Sequence, residues 1–255
     1  MLDTARLLNG IQKTQFVPAI FAFEEIDSTN EEAKRMAQNG FEGTALIVAD
    51  RQSAGRGRMG RSFYSPAQTG AYFSILYTPA SPGDGIVSIT SAAAVAVMRA
   101  IRSLTGLQTE IKWVNDLYLD GKKVCGILAE SMICGGRVQV VLGVGINLST
   151  ESFPQELANI AGALGVSAPT REDMIARVYN EIEKYLNAPD NRDWLTEYRA
   201  HSCVLGRQIT WAQNGEVHEG RAVEIDGDGA LIAERGDGQR CRLSTGEISV
   251  RVQNN

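Results

Sequence analysis

Histidine is nearly missing from these 255 residues: His201 and His218 are the whole complement. Cysteine is sparse too, and Cys125, Cys134, Cys203 and Cys241 form no C-x-x-C pair and no zinc spacing. These shortages speak against a zinc enzyme and a disulfide framework, so reduced thiols in a cytoplasm are the expected state. A basic excess is also missing. Lys and Arg number 25 against 30 Asp and Glu, a net charge of −5, which argues against broad nucleic-acid binding. No run approaches the ~20 apolar residues that a membrane-spanning helix needs. The longest early apolar stretch, Phe16 to Phe23, is short and carries Pro18, so no signal peptide is expected. What remains is an ordinary globular composition, 44% hydrophobic and 22% charged. Its length suits one large domain, or a catalytic domain with a small appendage.

Local patterns give an α/β protein of the α+β type. Residues 1 to 20 read as a leader helix and connector. Asp27-Ser28-Thr29-Asn30 ahead of EEAKRMAQNG predicts a helix capped by Ser or Thr and closed by Asn39-Gly40. Thr44 to Asp50 and Ala71 to Tyr77 read as strands, and Ile89 to Leu104 as a helix stopped by Gly106. TEIKWV, a break at Asn115-Asp116, LYL, a hairpin turn at Asp120-Gly121, KKVCGILAE and Arg137 to Val144 form a strand-rich block. A helix from about Arg171 to Leu186, capped by Thr170, and a short one around Trp194 to Tyr198 complete a catalytic domain over 21–203. From Val204 the texture changes to short alternating runs between Asn-Gly, Asp-Gly and Gly-Asp-Gly turns, which predicts a small β-barrel over 204–255.

The stretch GRGRMG, Gly55 to Gly60, fits the dinucleotide pattern G-x-G-x-x-G letter for letter. That pattern must open directly into a helix that holds the pyrophosphate. Here Pro66 and Gly70 follow as breakers, then a strand, so the glycines serve something else. No G-K-[ST] follows either, so the loop is no P-loop, and GVGINL (Gly143 to Leu148) fails its own pattern at Leu148. Arg56, Arg58 and Arg61 among the glycines suggest an anion clamp, because guanidinium forks match phosphate oxygens bidentately. A solvated surface loop is the bland alternative.

Lys112 and Lys123 flank the Asn115-Asp116 break at a strand end, where ligand groups tend to sit. They are either edge decoration or charges for a phosphate. Ser28, Thr29 and Asn30 suit a helix cap, yet a cap needs one side chain and three are present. Gln52 adds an amide before the loop. Phe63 is either core or a stacking surface for an adenine.

IDSTN, RQSAGRGRMGR, KWVNDLYLDGKKVCGILAE, GVGIN and GEIS, in that order, resemble the biotin protein ligases over about Ile26 to Arg251. Val114 stands where that family often has proline, and Phe63 where some members have tryptophan. The winged-helix region that makes some members repressors has no counterpart in residues 1 to 20, so no repressor activity is expected. The resemblance implies a mixed-sheet domain of the class II synthetase and biotin ligase type with a small C-terminal β-barrel. It implies activation of biotin by MgATP to biotinyl-5′-adenylate, then transfer to a lysine of a biotin carboxyl carrier protein. For biotin it implies Ser28, Thr29, Asn30, Gln52, Arg56, Gly57, Arg58, Lys123, Gly126, Gly143 and Gly145. For ATP it implies Arg58, Arg61, Phe63, Lys112, Asn115, Lys123 and Asn147, with Asn115 and Asp116 toward Mg²⁺. Arg56, Arg58, Lys112, Asp116 and Lys123 would carry the chemistry. A cytoplasmic enzyme is implied, without nucleic-acid or membrane partners and with a homodimer as an option. The rivals are a lipoate–protein ligase-like acyl ligase and a non-enzymatic nucleotide-binding protein.

Overall fold

The computed structural model describes residues 2–11, 17–79, 86–186, 188, 190–213 and 215–244. Its centre is a seven-stranded mixed sheet in the order β1-β2-β3-β7-β6-β5-β4. The strands are β1 (Ala19–Ile26), β2 (Ala45–Gln52), β3 (Gly70–Tyr77), β4 (Glu110–Lys112), β5 (Asp116–Leu119), β6 (Lys122–Cys134) and β7 (Arg137–Asn147). β1 and β2 are parallel, joined by the crossover helix α2 (Thr29–Gln38). The other neighbours are antiparallel. Asp120 and Gly121 both take positive φ, +50° and +76°, between β5 and β6, which is why Asp-Gly sits there.

Strand alternation divides the interior between the two faces of this sheet. Leu46 and Val48 of β2, Phe73 and Ile75 of β3, and Leu142 and Val144 of β7 enter the larger core. That core lies under α3 (Ile86–Thr105), α4 (Arg171–Leu186) and α5 (Trp194–Ala200). The alternate residues Ala45, Ile47, Leu76 and Val141 meet Ala33 and Ala37 of α2 in a smaller cluster. The leading helix α1 (Thr4–Gly10) packs on α4, and Arg6 pairs with Asp173 at 2.8 Å. β1 already begins at Ala19, inside the expected connector. Within α3, Val87–Thr105 reaches the length and mean hydropathy of a membrane span, though Arg99, Arg102 and several Ser and Thr residues interrupt its apolar run. Two-thirds of it is buried in the fold, and Arg99 reaches Glu197 at 2.9 Å, as suits a core helix.

The C-terminal strands β8 (Gln208–Gln213), β9 (Glu216–Ile225), β10 (Leu231–Glu234) and β11 (Arg240–Leu243) form an antiparallel sheet in the order β11-β10-β9-β8. Among the described residues this sheet is open, where a barrel is the expectation. The GEIS stretch lies outside the described residues. Trp211, Ile225 and Leu231 of this sheet join the larger core. The Trp113 indole N–H donates to the Gly229 carbonyl at 2.8 Å in the buried seam, fixing the sheet to the segment before Asn115. Trp113→Phe leaves that carbonyl unpaired and should cost about 1–3 kcal/mol of stability. Urea melts would show it, and an unchanged midpoint would mean the bond contributes nothing.

Candidate active site

The sheet face under α2 builds the site by subtraction. Leu76 and Val141 fill the space beneath the helix body. Further along the same face the strands carry Ser74, Gly143, Gly145 and Gly126, with Gly126 paired to Gly145 and Leu128 to Gly143. Small residues in adjacent strands leave a hollow beneath the start of α2, lined by Thr29, Asn30, Gly126, Gly143 and Gly145. Side chains lie directly over these glycines. A Cβ on Gly145 would stand 2.5 Å from the Phe63 ring, one on Gly126 would be 3.2 Å from the Lys123 amine, and one on Gly143 would collide with the Asn30 amide.

All eleven residues expected for biotin line this one pocket. The Ser28 expectation is corrected in one respect: it occupies the N-cap of α2 but makes no side-chain capping bond. Thr29 and Asn30 are buried and held from beneath by Ser74, whose Oγ lies 2.8 Å from Thr29 Oγ1 and 2.6 Å from Asn30 Oδ1. The Thr29 N–H donates to Gln52 Oε1 at 2.9 Å, and Gln52 Nε2 donates to Ser65 Oγ at 2.8 Å. Asn30 Nδ2 donates to Glu130 Oε2 at 3.0 Å, while Lys34 holds Glu130 Oε1 at 2.7 Å. Burial alone would lower the Lys34 pKa, but bonds to Glu130 and Glu31 outweigh it and raise it.

GRGRMG forms the roof as a hairpin. Gln52 N bonds Ser65 O, Phe63 N bonds Gly55 O at 2.8 Å, and Gly57 N bonds Arg61 O at 2.7 Å. A single 3-10 turn, Arg58–Gly60, stands at the tip with Met59 at φ +58°, so the loop opens into no α-helix. Gly55 is required because a side chain there would run into the Phe63 carbonyl. Arg56 Nε lies 3.2 Å from Glu31, and Arg58 reaches Asn115 Oδ1 at 3.4 Å. Burial depresses the Arg58 pKa, with the Asp116 charge opposing the shift. A guanidinium held in a half-buried wall favours an incoming anion.

Lys123 enters from β6 and pairs with Asp116 at 2.7 Å. Its backbone is clamped by residues 160–162: Lys123 N bonds Ile160 O, and Gly162 N bonds Lys123 O, both at 2.8 Å. Of the residues expected for ATP, Arg58, Phe63, Asn115 and Lys123 line the pocket. Lys112, Arg61 and Asn147 do not. Lys112 points along the sheet edge to the Tyr118 ring, 5.2 Å from its centroid, and Asn147 Nδ2 is bonded to Gly162 O at 2.9 Å. Asn147 therefore braces the segment that clamps Lys123.

Asn115 and Asp116, expected toward Mg²⁺, are both engaged with protein groups. The Asn115 amide is engaged at both ends, donating to Ile127 O at 2.9 Å and accepting from Arg58. Asp116 is paired with Lys123. Among the described residues no three His, Cys, Asp or Glu side chains converge as metal ligands. Burial pushes the Cys125 and Cys203 thiols up, which disfavours their thiolates. Ser65, Ser74, Lys34 and Glu130 are additions beyond the residues expected from sequence. Ser74 had a visible signal: it is the one aliphatic hydroxyl amid the apolar and aromatic run AYFSIL.

Residues 22–147 match the Biotin/lipoate A/B protein ligase family, and residues 204–251 match the Biotin protein ligase C terminal domain. The chain is 32% identical to the Biotin--[acetyl-CoA-carboxylase] ligase of Paracoccus denitrificans, over 87% of this chain and 96% of that protein. It is 33% identical to the Bifunctional ligase/repressor BirA of Bacillus subtilis, over 93% of this chain and 76% of that one. The Biotin protein ligase from Aquifex aeolicus, solved in complex with biotin and ATP, superposes with a TM-score of 0.76 at 25% identity, covering 92% of this chain and 99% of that one. Fold, pocket and relatives define an enzyme of the ligase class. The chain belongs to the biotin/lipoate A/B protein ligase family and, within it, to the biotin protein ligases.

Proposed function

We propose that this enzyme joins biotin and MgATP into biotinyl-5′-adenylate and pyrophosphate. It then transfers the biotinyl group to one lysine of the biotin carboxyl carrier protein of acetyl-CoA carboxylase, or of a related carboxylase. The observation that carries this is the convergence of all eleven expected biotin residues on one pocket. Ser28, Thr29, Asn30 and Gln52 meet the ureido ring, and the Gly143 and Gly145 floor admits the apolar tail. A biotin carboxylate oxygen attacks the α-phosphorus, and pyrophosphate leaves with its Mg²⁺, which travels with the substrate. Arg58 and Lys123 offset the charge on the pentavalent phosphorus. The carrier amine then attacks the acyl carbon and AMP departs. Asp116, paired with Lys123 at 2.7 Å, receives the amine proton. Phe63 is the stacking surface for the adenine. The site requires no covalent protein intermediate, because positioning and charge stabilisation suffice. Catalysis takes place in the cytoplasm.

Protein incubated with biotin and ATP should carry biotinyl-adenylate detectable by mass spectrometry, and should exchange pyrophosphate into ATP only when biotin is present. Exchange supported by lipoate instead of biotin would move the enzyme to the lipoate ligases. ATP binding without exchange would make it a nucleotide-binding protein.

Ligand binding is expected to be ordered, biotin first. Three glycines and three arginines make the Gly55–Arg61 hairpin costly to hold without an anion. Its tip is exposed, with Met59 64% accessible. Trypsin should therefore cut early after Arg56, Arg58 and Arg61 in the free protein. Biotin alone should slow cleavage, later addition of ATP should slow it further, and ATP alone should protect little. Equal resistance in every condition would make the hairpin a rigid structural turn.

A further inference from the structure

The polar groups under the pocket form one chain, and its direction is set chiefly at the Glu130 end, where the Leu128 carbonyl also accepts from Asn30 Nδ2 over a longer 3.5 Å. Glu130 Oε1 is held by the Lys34 ammonium at 2.7 Å, leaving Oε2 as an acceptor toward Asn30. The Asn30 amide must therefore turn Nδ2 to Glu130, at 3.0 Å, and Oδ1 to Ser74. Ser74 is fully buried and has one proton for two oxygen neighbours, Asn30 Oδ1 at 2.6 Å and Thr29 Oγ1 at 2.8 Å. An amide oxygen accepts but never donates, whereas a hydroxyl does both. The Ser74 proton thus goes to Asn30, and Thr29 Oγ1 donates back to Ser74. Gln52 Oε1 remains served by the Thr29 N–H at 2.9 Å and loses only the longer, 3.2 Å contact. The lone pairs of Thr29 Oγ1 then face the pocket.

We infer that the Lys34–Glu130 ion pair sets the hydrogen-bond polarity of this pocket, making Thr29 an acceptor for a head group that carries N–H donors. Glu130, Lys34 and Ser74 are positioning residues, acting through Thr29 and Asn30. The inference rests on the biotin reading, since a ureido ring supplies those N–H groups and a dithiolane ring does not. Half-satisfied buried chains are costly, so the direction is enforced rather than averaged.

Glu130→Gln tests it with almost no change of shape. Lys34 would capture the new amide oxygen and leave an NH₂ facing Asn30, so Asn30 turns over. Ser74 then accepts from Asn30 and donates to Thr29, and Thr29 presents its proton to the ligand. Biotin affinity by calorimetry, and KM for biotin, should weaken about 10-fold or more, while kcat and KM for ATP stay within about threefold. The exchanged pair Asn30→Asp with Glu130→Gln puts the carboxylate on the other side of the same contact. It restores donation from Ser74 and should recover most of the lost affinity. Wild-type affinity in Glu130→Gln would overturn the inference, as would no recovery in the exchanged pair. A variant whose kcat, KM for ATP and melting temperature all fall together would overturn it too, by showing a merely structural role. Wild-type protein that fails to bind biotin in the same calorimeter would instead remove the biotin reading itself.

Discussion

Lys123→Gln is expected to slow biotin-dependent adenylation by roughly 10- to 150-fold, the equivalent of about 1.5–3 kcal/mol for one lost charge-assisted contact. The substitution keeps most of the length and removes the charge that lines the pocket beside Gly126. It also strands Asp116, whose ion pair with Lys123 is 2.7 Å long. An unpaired carboxylate facing an anionic substrate would itself slow the reaction, so the single variant mixes two effects. Asp116→Asn with Lys123→Gln separates them. If Lys123 serves only to neutralise Asp116, the double variant returns to the level of Asp116→Asn alone. If the lysine contacts the carboxylate and α-phosphate, the double variant remains slow. Pyrophosphate exchange at saturating ATP and varied biotin reads both arms. A single variant within twofold of wild type would take Lys123 out of the site.

The legible parts of this molecule were those whose signal is local. Asp120-Gly121 needs two positive φ angles, and few residue pairs other than Asp-Gly supply them, so the β5–β6 turn was evident from two letters. The α4 limits, Arg171–Leu186, follow from apolar spacing and from Thr170, which caps reciprocally with Asp173 at 3.3 Å. Ser28 shows where local rules stop. By propensity it is a cap, and it does occupy the N-cap, but its side chain makes no capping bond and belongs to the pocket wall. Lys112 and Asn147 show the opposite failure. Both share the pocket face of the sheet, Asn147 with Gly145 along β7 and Lys112 through the Asp116–Gly126 register, yet their side chains turn to other partners, Lys112 to Tyr118 and Asn147 to Gly162. Glu130, and the part that Ser74 plays, lie beyond local rules for a third reason. Their role depends on β6 and β3 meeting α2 from separate parts of the chain, and no short window holds that information.

Gly143→Ala is the other change expected to have a large effect, and its contrast with Gly145→Ala shows why the glycine floor exists. At Gly143 a Cβ would land on the Asn30 side-chain amide. Asn30 cannot retreat easily, because Ser74 holds its oxygen at 2.6 Å and Glu130 its nitrogen at 3.0 Å. Overpacking a rigid contact costs about 1–3 kcal/mol. Each hydrogen bond lost from the displaced polar chain adds about 1 kcal/mol. At 1.4 kcal/mol per tenfold, biotin affinity should fall about 100-fold, with a lowered melting temperature. At Gly145 the obstacle is the Phe63 ring, 2.5 Å from the added carbon. Phe63 rides on the hairpin that also carries Arg56 and Arg58, and a hairpin edge moves more readily than a buried, doubly bonded amide. Gly145→Ala should therefore spare most of the biotin affinity and raise KM for ATP instead, through the displaced ring. Calorimetry with biotin, then exchange kinetics against ATP, distinguishes the two glycines. Equal losses of biotin affinity at both positions would mean that the floor acts as one rigid surface, and that Phe63 has no separate part in holding the nucleotide.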